Sequence, residues 1–510
     1  MPNGVNAAAA DPAAPLSESQ ERRIVWLLCL CAAVHVFVFS AAFPFFSNVD
    51  ESHHFDVMLQ YAHGHVPHGL ELMTAESMQY IALYGSQEYF WATNSFPGGQ
   101  YPPPAWTQSP EVIRKYLLAN EVARQKIFNY EDSQPPLYYL LTGAWWQVGQ
   151  WCGFENGRRL YWVRFLNMFL VGALVWLGFA AARMVFPERP FLRLGVPALL
   201  AFIPQTAFHS IENDTLSPLC FGLVFIGLVQ WFRAEVPGVR LGLGTGLALA
   251  ATFLTKISDL PLLAVAAVVV LVKGWKLLRA GKLRAALPAL LGLALCAGLP
   301  MLGWLAWMKH AFGDWTGAAA KVQVLDWTLK PFGEWWHHPI FTPHGLWTFV
   351  SALLATLWQG EFLWHLQSPT LPAVDLVYAI SSIVFVGVAG GVLLLRSPAL
   401  TAAQRPALGL ALGSVVAAMV FLGFLSTLYD FGNCFYPSRA FPYFATGRLM
   451  LGALIPFLLL YVYGLDRLLG RVKNRWVRPL VLSGLILFML VAQTVTAWPV
   501  FFSEYNWFHL

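Results

Sequence analysis

Residues 24–57 read IVWLLCLCAAVHVFVFSAAFPFFSNVDESHHFDV. The first part, 24–46, contains no Lys, Arg, Asp or Glu. As a helix it is long enough to cross ~30 Å of hydrocarbon. It is followed at once by Asp50, Glu51, His53 and His54. A span that delivers acids and imidazoles to the membrane surface raises the question that organises the rest of the chain: are they solvated loop residues or a reaction centre?

Runs of the same kind recur. Spans are expected near 24–46, 161–183, 192–209, 215–232, 240–255, 260–273, 285–308, 372–395, 406–428, 446–465 and 477–499. Hydrophobic residues make up 57% of the chain and charged ones 12%, a balance that excludes a soluble protein. The expected fold is an all-α polytopic integral membrane protein with about 11 (11–13) transmembrane helices. The Ala/Pro/Ser-rich residues 1–23 are expected to form a disordered cytoplasmic tail, and 24–510 a single transmembrane domain whose first span is an uncleaved anchor. The six Cys match no metal or disulfide pattern, and only Cys152 and Cys434 sit in polar connections where a bond could form.

Charge placement sets the expected sidedness. With the N-terminus inside, 19 of the 32 Lys and Arg fall in the inner connections, against only six acids there. The basic excess is therefore a matter of topology and gives no support to nucleic-acid binding. The same rule demotes the apolar stretches 136–150 and 345–365 to interfacial or re-entrant pieces. Counting them as spans would move the loop RMVFPERPFLR to the outer face. Two long outer segments remain, 47–160 and 309–371. The first is expected to carry two juxtamembrane helices. One runs from Ser52 with Phe55, Met58, Leu59 and Ala62 on one face. The other follows Ser109-Pro110 through EVIRKYLLANEVARQKIF.

The outer face collects the ionisable groups. Asp50-Glu51 closes the first span and Glu212-Asn213-Asp214 the third. Lys256 ends the fifth, Arg164 opens the second, and Arg439 and Arg448 flank the start of the tenth. Charges at that depth are costly, so a functional site is the default expectation. Each also has a structural alternative: helix capping for Asp50-Glu51 and Asp214, a snorkelling lysine for Lys256, and headgroup contacts for the histidines. No H-E-x-x-H spacing occurs among the 13 His, and no metal site is assigned. A substrate or divalent-cation contact through His53, His54 or Asn213 stays open. Together the groups suit glycosyl transfer from a lipid-linked donor. Such a donor needs an apolar groove for its chain, fixed cations for its phosphate, and one carboxylate, Asp50, as general base for the acceptor hydroxyl. A single base without a carboxylate nucleophile would invert the anomeric centre.

These residues resemble the GT-C superfamily of lipid-phosphate-sugar-dependent glycosyltransferases, which includes protein O-mannosyltransferases and the aminoarabinose transferase of lipid A. The likeness lies in D-E after the first span, SQPPLYYLL, Arg164 opening the next span, N-D at 213–214 and FLTKISDLPLL. FATGRLMLGALIPF resembles a stretch of the bacterial membrane family called domain of unknown function 2142, with Leu449 where a Tyr is usual. The resemblance implies Asp50 as catalytic base, Glu51 and Asp214 as organisers of the site, and Lys256, Arg164, Arg448 and Arg439 as donor-phosphate ligands. It further implies a polyprenyl-phosphate sugar as donor and a glycan, lipid or protein acceptor, at the outer face of a bacterial inner membrane. The histidine pair after D-E departs from the protein O-mannosyltransferases. So does the short chain after the last span, which points to a small or lipid-attached acceptor, or to help from another protein. A transporter or flippase of a lipid-linked saccharide would show internal repeats and broken midplane helices. A non-catalytic scaffold subunit would use the same carboxylates only as caps.

Overall fold

The computed structural model describes residues 17–47, 50–124, 126–396, 398, 400–434, 436–474 and 476–510. Most of the expected tail, residues 1–16, lies outside the described residues. Its remainder is helical. Ser17 caps α1 (Glu18–Ala42) by accepting from the Gln20 amide at 3.2 Å, and the Gln20 side chain accepts from the Ser17 amide at 2.8 Å. That reciprocal cap starts the helix ahead of its apolar run.

The chain continues through α2 (Glu51–Ala62), α3 (Ala75–Tyr84), α4 (Pro110–Arg124) and α5 (Leu137–Trp151) before α6 (Asn156–Val185) and α7 (Pro190–Ala201). There follow α8 (Ser217–Arg233), α9 (Val239–Thr255), α10 (Leu260–Arg279), α11 (Leu283–Phe312), the short α12 (Ala318–Val324) and α13 (Pro343–Gln359). The last four are α14 (Pro372–Leu394), α15 (Gln404–Leu428), α16 (Leu454–Leu469) and α17 (Val477–Ala497). Sheet is confined, among the described residues, to Thr328–Leu329 paired antiparallel with Tyr429–Asp430. The protein is an all-α multi-pass membrane protein.

Among the described residues, nine helical segments are long and apolar enough to cross a membrane, and each coincides with an expected span. The two other expected spans are short. The one placed at 192–209 stops at Ala201, and a separate 3₁₀ turn covers Thr206–His209. Pro204 lies in the gap; without an amide hydrogen it cannot continue the helix. Twelve residues of α7 rise only about 18 Å. Non-helical backbone at that depth is tolerated because protein covers it. Leu192, Val196, Leu199 and Leu200 are buried in the main core, and α7 packs on α1, α6 and α16. At the centre stands α16, with every side chain from Leu454 to Asp466 buried. A helix that is apolar all round belongs inside a bundle.

Both expected juxtamembrane helices form, as α2 and α4, and the second ends at Arg124, before Lys126–Phe128. The two apolar stretches demoted from spans are also helical. Gly143 lets α5 lie against α2: a Cβ there would come within 3.0 Å of the Ala62 amide nitrogen. α13 packs against α14 and the 3₁₀ turn Gly447–Ala453. At Gly447 a Cβ would sit 2.0 Å from the Leu357 nitrogen. The obstacle is backbone, which cannot swing aside, so Gly447→Ala is expected to cost about 3 kcal/mol, the upper end for overpacking. A thermal midpoint in nanodiscs unchanged from wild type would contradict this. Cys152 and Cys434 are both free thiols, so the bond considered between them does not form.

The basic connections gather at one end of the bundle. Arg183 pairs with Glu18 at 2.5 Å, Arg193 with Glu21, Arg189 with Asp466 at 3.4 Å and Arg478 with Asp466 at 3.0 Å. α1 begins among these charges and ends at the opposite pole, where Asp50 lies.

Candidate functional site

The site is built on a clamp. Arg164, near the start of α6, donates Nε to Glu51 Oε1 and Nη2 to Glu51 Oε2, each at 2.7 Å. Its remaining hydrogens reach the carbonyls of Phe43 (2.5 Å), Pro44 (2.9 Å) and Ser40 (3.3 Å). Glu51 also accepts from the amides of Ser47 (2.8 Å) and Ile211 (3.0 Å). Both side chains are 0% exposed, and Phe45 lies 3.8 Å below the guanidinium. The fork satisfies a planar guanidinium completely. Neither residue retains a group for a substrate. The phosphate-binding role expected of Arg164 is therefore corrected: Arg164 and Glu51 tie the end of α1 to the starts of α2 and α6.

Asp50, one residue earlier, behaves differently. Its backbone is left-handed (φ 58°) and its side chain makes no capping bond, so helix capping is not its role. Asp is among the few residues that tolerate that conformation. Its Oδ1 accepts from the Tyr130 hydroxyl at 2.6 Å and its Oδ2 from Arg448 Nη2. It faces a cavity of about 1040 Å³ whose polar end also holds His54, Tyr130, Glu131, Lys256, Lys321, Glu361 and Arg448. The remaining lining is mostly apolar and aromatic, with Leu325, Trp327, Trp347, Leu376, Leu425 and Phe444, and includes His344, Gln359 and Asp375.

Arg448 is placed by the tight packing of Gly447 against α13 and stands among four carboxylates. Besides Asp50, its Nη1 lies 3.1 Å from Asp214 Oδ2 and 3.6 Å from Glu212 Oε2, and its Nε 3.5 Å from Glu361 Oε2. Asp214 also takes Lys256 Nζ at 2.5 Å. Asp214 is fully buried and does not line the cavity, so it makes no direct contact with a substrate there. It holds Lys256 and Arg448 from behind. Asn213 is buried too, donating to Thr255 O and Gln134 Oε1 at 3.2 Å each, and makes no contact with the cavity. Arg439 is 67% exposed, paired with Asp430 at 2.9 Å and outside the cavity, so it leaves the phosphate set. Of the two histidines, His54 lines the cavity with Nδ1 2.6 Å from the Tyr139 hydroxyl. His53 instead stacks on Tyr130 at 4.0 Å and buttresses the phenol that holds Asp50.

Four cavity residues escaped the sequence reading. Tyr130 and Glu131 lie just ahead of SQPPLYYLL, and the acidic pair Glu131-Asp132 beside that stretch was an available signal. Lys321 was another, as a cation in a region short of them; its Nζ donates to Glu131 Oε1 at 2.6 Å. Glu361 carried no local signal. Gly360 before it adopts φ 75°, where a Cβ would meet Thr206 Oγ1 at 2.1 Å.

Electrostatics divide these groups. Burial alone would push the Asp50 carboxyl up, but Arg448, Lys321, His54 and the Tyr130 hydrogen bond outweigh it and hold Asp50 well below the usual range. Glu131 is likewise lowered, with Lys321 and His54 overcoming burial and the Asp50 charge. Burial takes His54 down to about 4 despite Glu131 and Asp50, so the imidazole is neutral at pH 7. Glu361 is raised, because burial there exceeds the pull of Arg448. Asp50, His54 and Glu131 each offer a ligand atom within 4.8 Å of the others. The two carboxylates are already matched by Arg448 and Lys321, so this donor set fits a divalent ion poorly.

No curated protein matches the chain. Residues 33–429 match the model of the family described as "Predicted membrane protein (DUF2142)", a stretch that contains Asp50, Glu131, Asp214, Lys256 and Lys321. The chain belongs to that family of membrane proteins.

Proposed function

We propose that the protein is an inverting glycosyltransferase of GT-C type that takes its sugar from a polyprenyl-phosphate donor. The site would work at the outer face of a bacterial inner membrane, with the basic pole of the bundle inside, as the positive-inside rule asks. One observation carries the proposal. A single cavity joins three carboxylates and three cations at its polar end to a mostly apolar, aromatic wall formed by α13 and the neighbouring loops together with residues of α14 and α15. The wall suits an isoprenoid chain, and the cations Arg448, Lys256 and Lys321 suit the phosphate to which it is linked.

In the transfer the acceptor oxygen attacks the anomeric carbon while the bond to the phosphate oxygen breaks. The acceptor proton passes to Asp50, and the polyprenyl phosphate leaves with the bonding electrons, its charge met by the cations. Asp50 gripped by Arg448 is a weak base. A donor phosphate gives Arg448 a further anion to hold on the cavity side, loosens its grip on Asp50 and raises the basicity of Asp50 when it is needed. Glu131 is a second carboxylate close by, which would matter for a retaining mechanism. The oxygens of both are engaged, but the Glu131 side chain is 3% exposed whereas Asp50 is 23% exposed; that difference favours Asp50 as the sole base and hence inversion. The acceptor would be a hydroxyl of an envelope glycan, lipid or protein.

The test is a density map of the protein in nanodiscs with a polyprenyl phosphate added. Phosphate density within hydrogen-bond reach of Arg448 is the expected result, with space for one sugar between it and Asp50. Lipid bound only in a groove remote from Asp50, or none bound, would sink the proposal and favour a transporter or scaffold.

A further inference from the structure

The loop between α2 and α3 carries a second group of ligand-type side chains, well apart in chemistry from the cavity. His65, His68 and Glu71 each present a ligand atom within 4.8 Å of the others. Glu71 is oriented on both sides. Its Oε1 accepts from the His68 amide at 2.9 Å, while Oε2 lies 2.8 Å from His65 Nε2. Its own amide donates to Asp132 Oδ2 at 2.8 Å, and its carbonyl accepts from the Asn129 amide at 2.8 Å. The His68 ring is steadied edge-on against Trp307 of α11, 4.9 Å away. The three donors therefore project from a turn pinned at several points.

A separate observation is the local composition. The sequence holds no Lys or Arg between Arg23 and Arg114, yet it places Asp56, Glu71 and Glu76 in this region. Beneath Glu71 the buried carboxylates Asp56 and Asp132 share Gln60 as a donor, at 3.0 and 3.3 Å. Neither forms an ion pair among the described residues. Asp56 is satisfied by donors from Thr74, Ser77, Asn129 and Gln60, and Asp132 by the Glu71 amide and Gln60, so these acids anchor the turn beneath the three ligand side chains.

We infer that His65, His68 and Glu71 bind one borderline divalent cation of the Zn²⁺ class. Two imidazoles and a carboxylate favour such an ion over Mg²⁺ or Ca²⁺, which prefer all-oxygen shells. The exposed side chains need only small rotations to close from their present spacing to ligand distances. The fourth position is left to water. The ion would fasten the 63–71 loop to segment 127–132, which Glu71 meets through Asn129 and Asp132. That segment carries Tyr130 and Glu131 into the cavity, and α2 at the other end of the loop carries His54. The site would thus be structural, holding two walls of the cavity in register, and it does not depend on the reaction proposed above.

The experiment uses full-length, tag-free protein in nanodiscs, stripped with chelator and titrated with Zn²⁺, and with Co²⁺ as a spectroscopic probe. One tight equivalent per chain is expected, with Co²⁺ bands of a nitrogen- and oxygen-ligated four-coordinate ion. His68→Ala and Glu71→Gln should each weaken binding by about 100-fold or more, beyond what loss of an outer partner costs. His63→Ala should leave it unchanged, since His63 pairs instead with Glu76 at 2.8 Å. The metal-free thermal midpoints of the variants should match wild type, which separates lost ligation from lost folding. Wild-type binding no tighter than that of the His68→Ala and Glu71→Gln variants would overturn the inference. So would loss of the ion in Asp50→Asn with retention in His68→Ala, which would assign it to the cavity.

Discussion

Replacing Arg164 by Met should destabilise the protein by about 3–5 kcal/mol, the usual cost of stranding one partner of a buried ion pair. The loss has two sources. Glu51 would stay at 0% exposure with no cation, and the carbonyls of Ser40, Phe43 and Pro44 would lose their donors. Glu51→Gln should cost less, since it strands no buried carboxylate, its one oxygen can keep either the Ser47 or the Ile211 amide, and Arg164 retains the carbonyls of Ser40, Phe43 and Pro44. The double variant should cost clearly less than the sum, because removing both charges removes the uncompensated one. Unfolding in nanodiscs followed by tryptophan fluorescence measures all three. A loss under about 1 kcal/mol for Arg164→Met would mean that the clamp does not hold α1, α2 and α6 together.

Asp50→Asn should lower sugar transfer by about 10²–10⁴-fold, the span typical of a lost general base, and leave the fold intact. Asn suits the left-handed backbone at this position as well as Asp does, and its oxygen still accepts from Tyr130. Arg448 keeps Asp214, Glu212 and Glu361 as counter-charges. Donor binding should therefore survive while turnover does not. Equal losses in donor affinity and rate would mark Asp50 as a positioning residue for Arg448. Full activity in Asp50→Asn, with product formed from a defined donor, would remove it from the chemistry altogether.

The two predictions concern neighbouring residues with opposite fates, and nothing in the order Asp50-Glu51 distinguishes them. Both are acids at the end of an apolar run. What separates them is Arg164, 113 positions on, which meets Glu51, and Arg448, 398 positions on, which meets Asp50. Arg164 and Lys256 each read as a cation opening or closing a span. Packing spends the first on Glu51 and leaves the second at the cavity edge. Glu361 was hidden inside a stretch that looked merely interfacial.

By itself the sequence determined the class of the protein, the positions of its long spans, the start of α2 and the gathering of acids and cations at one pole. Those follow from local sums: hydropathy over a membrane-width window, helical periodicity, and the alternation of direction that each crossing imposes. Only the tertiary structure decided that α7 stops short, which charges cancel one another and which face the cavity. Ion pairing is settled by separations of a few ångströms between residues hundreds of positions apart, and no local pattern carries that distance.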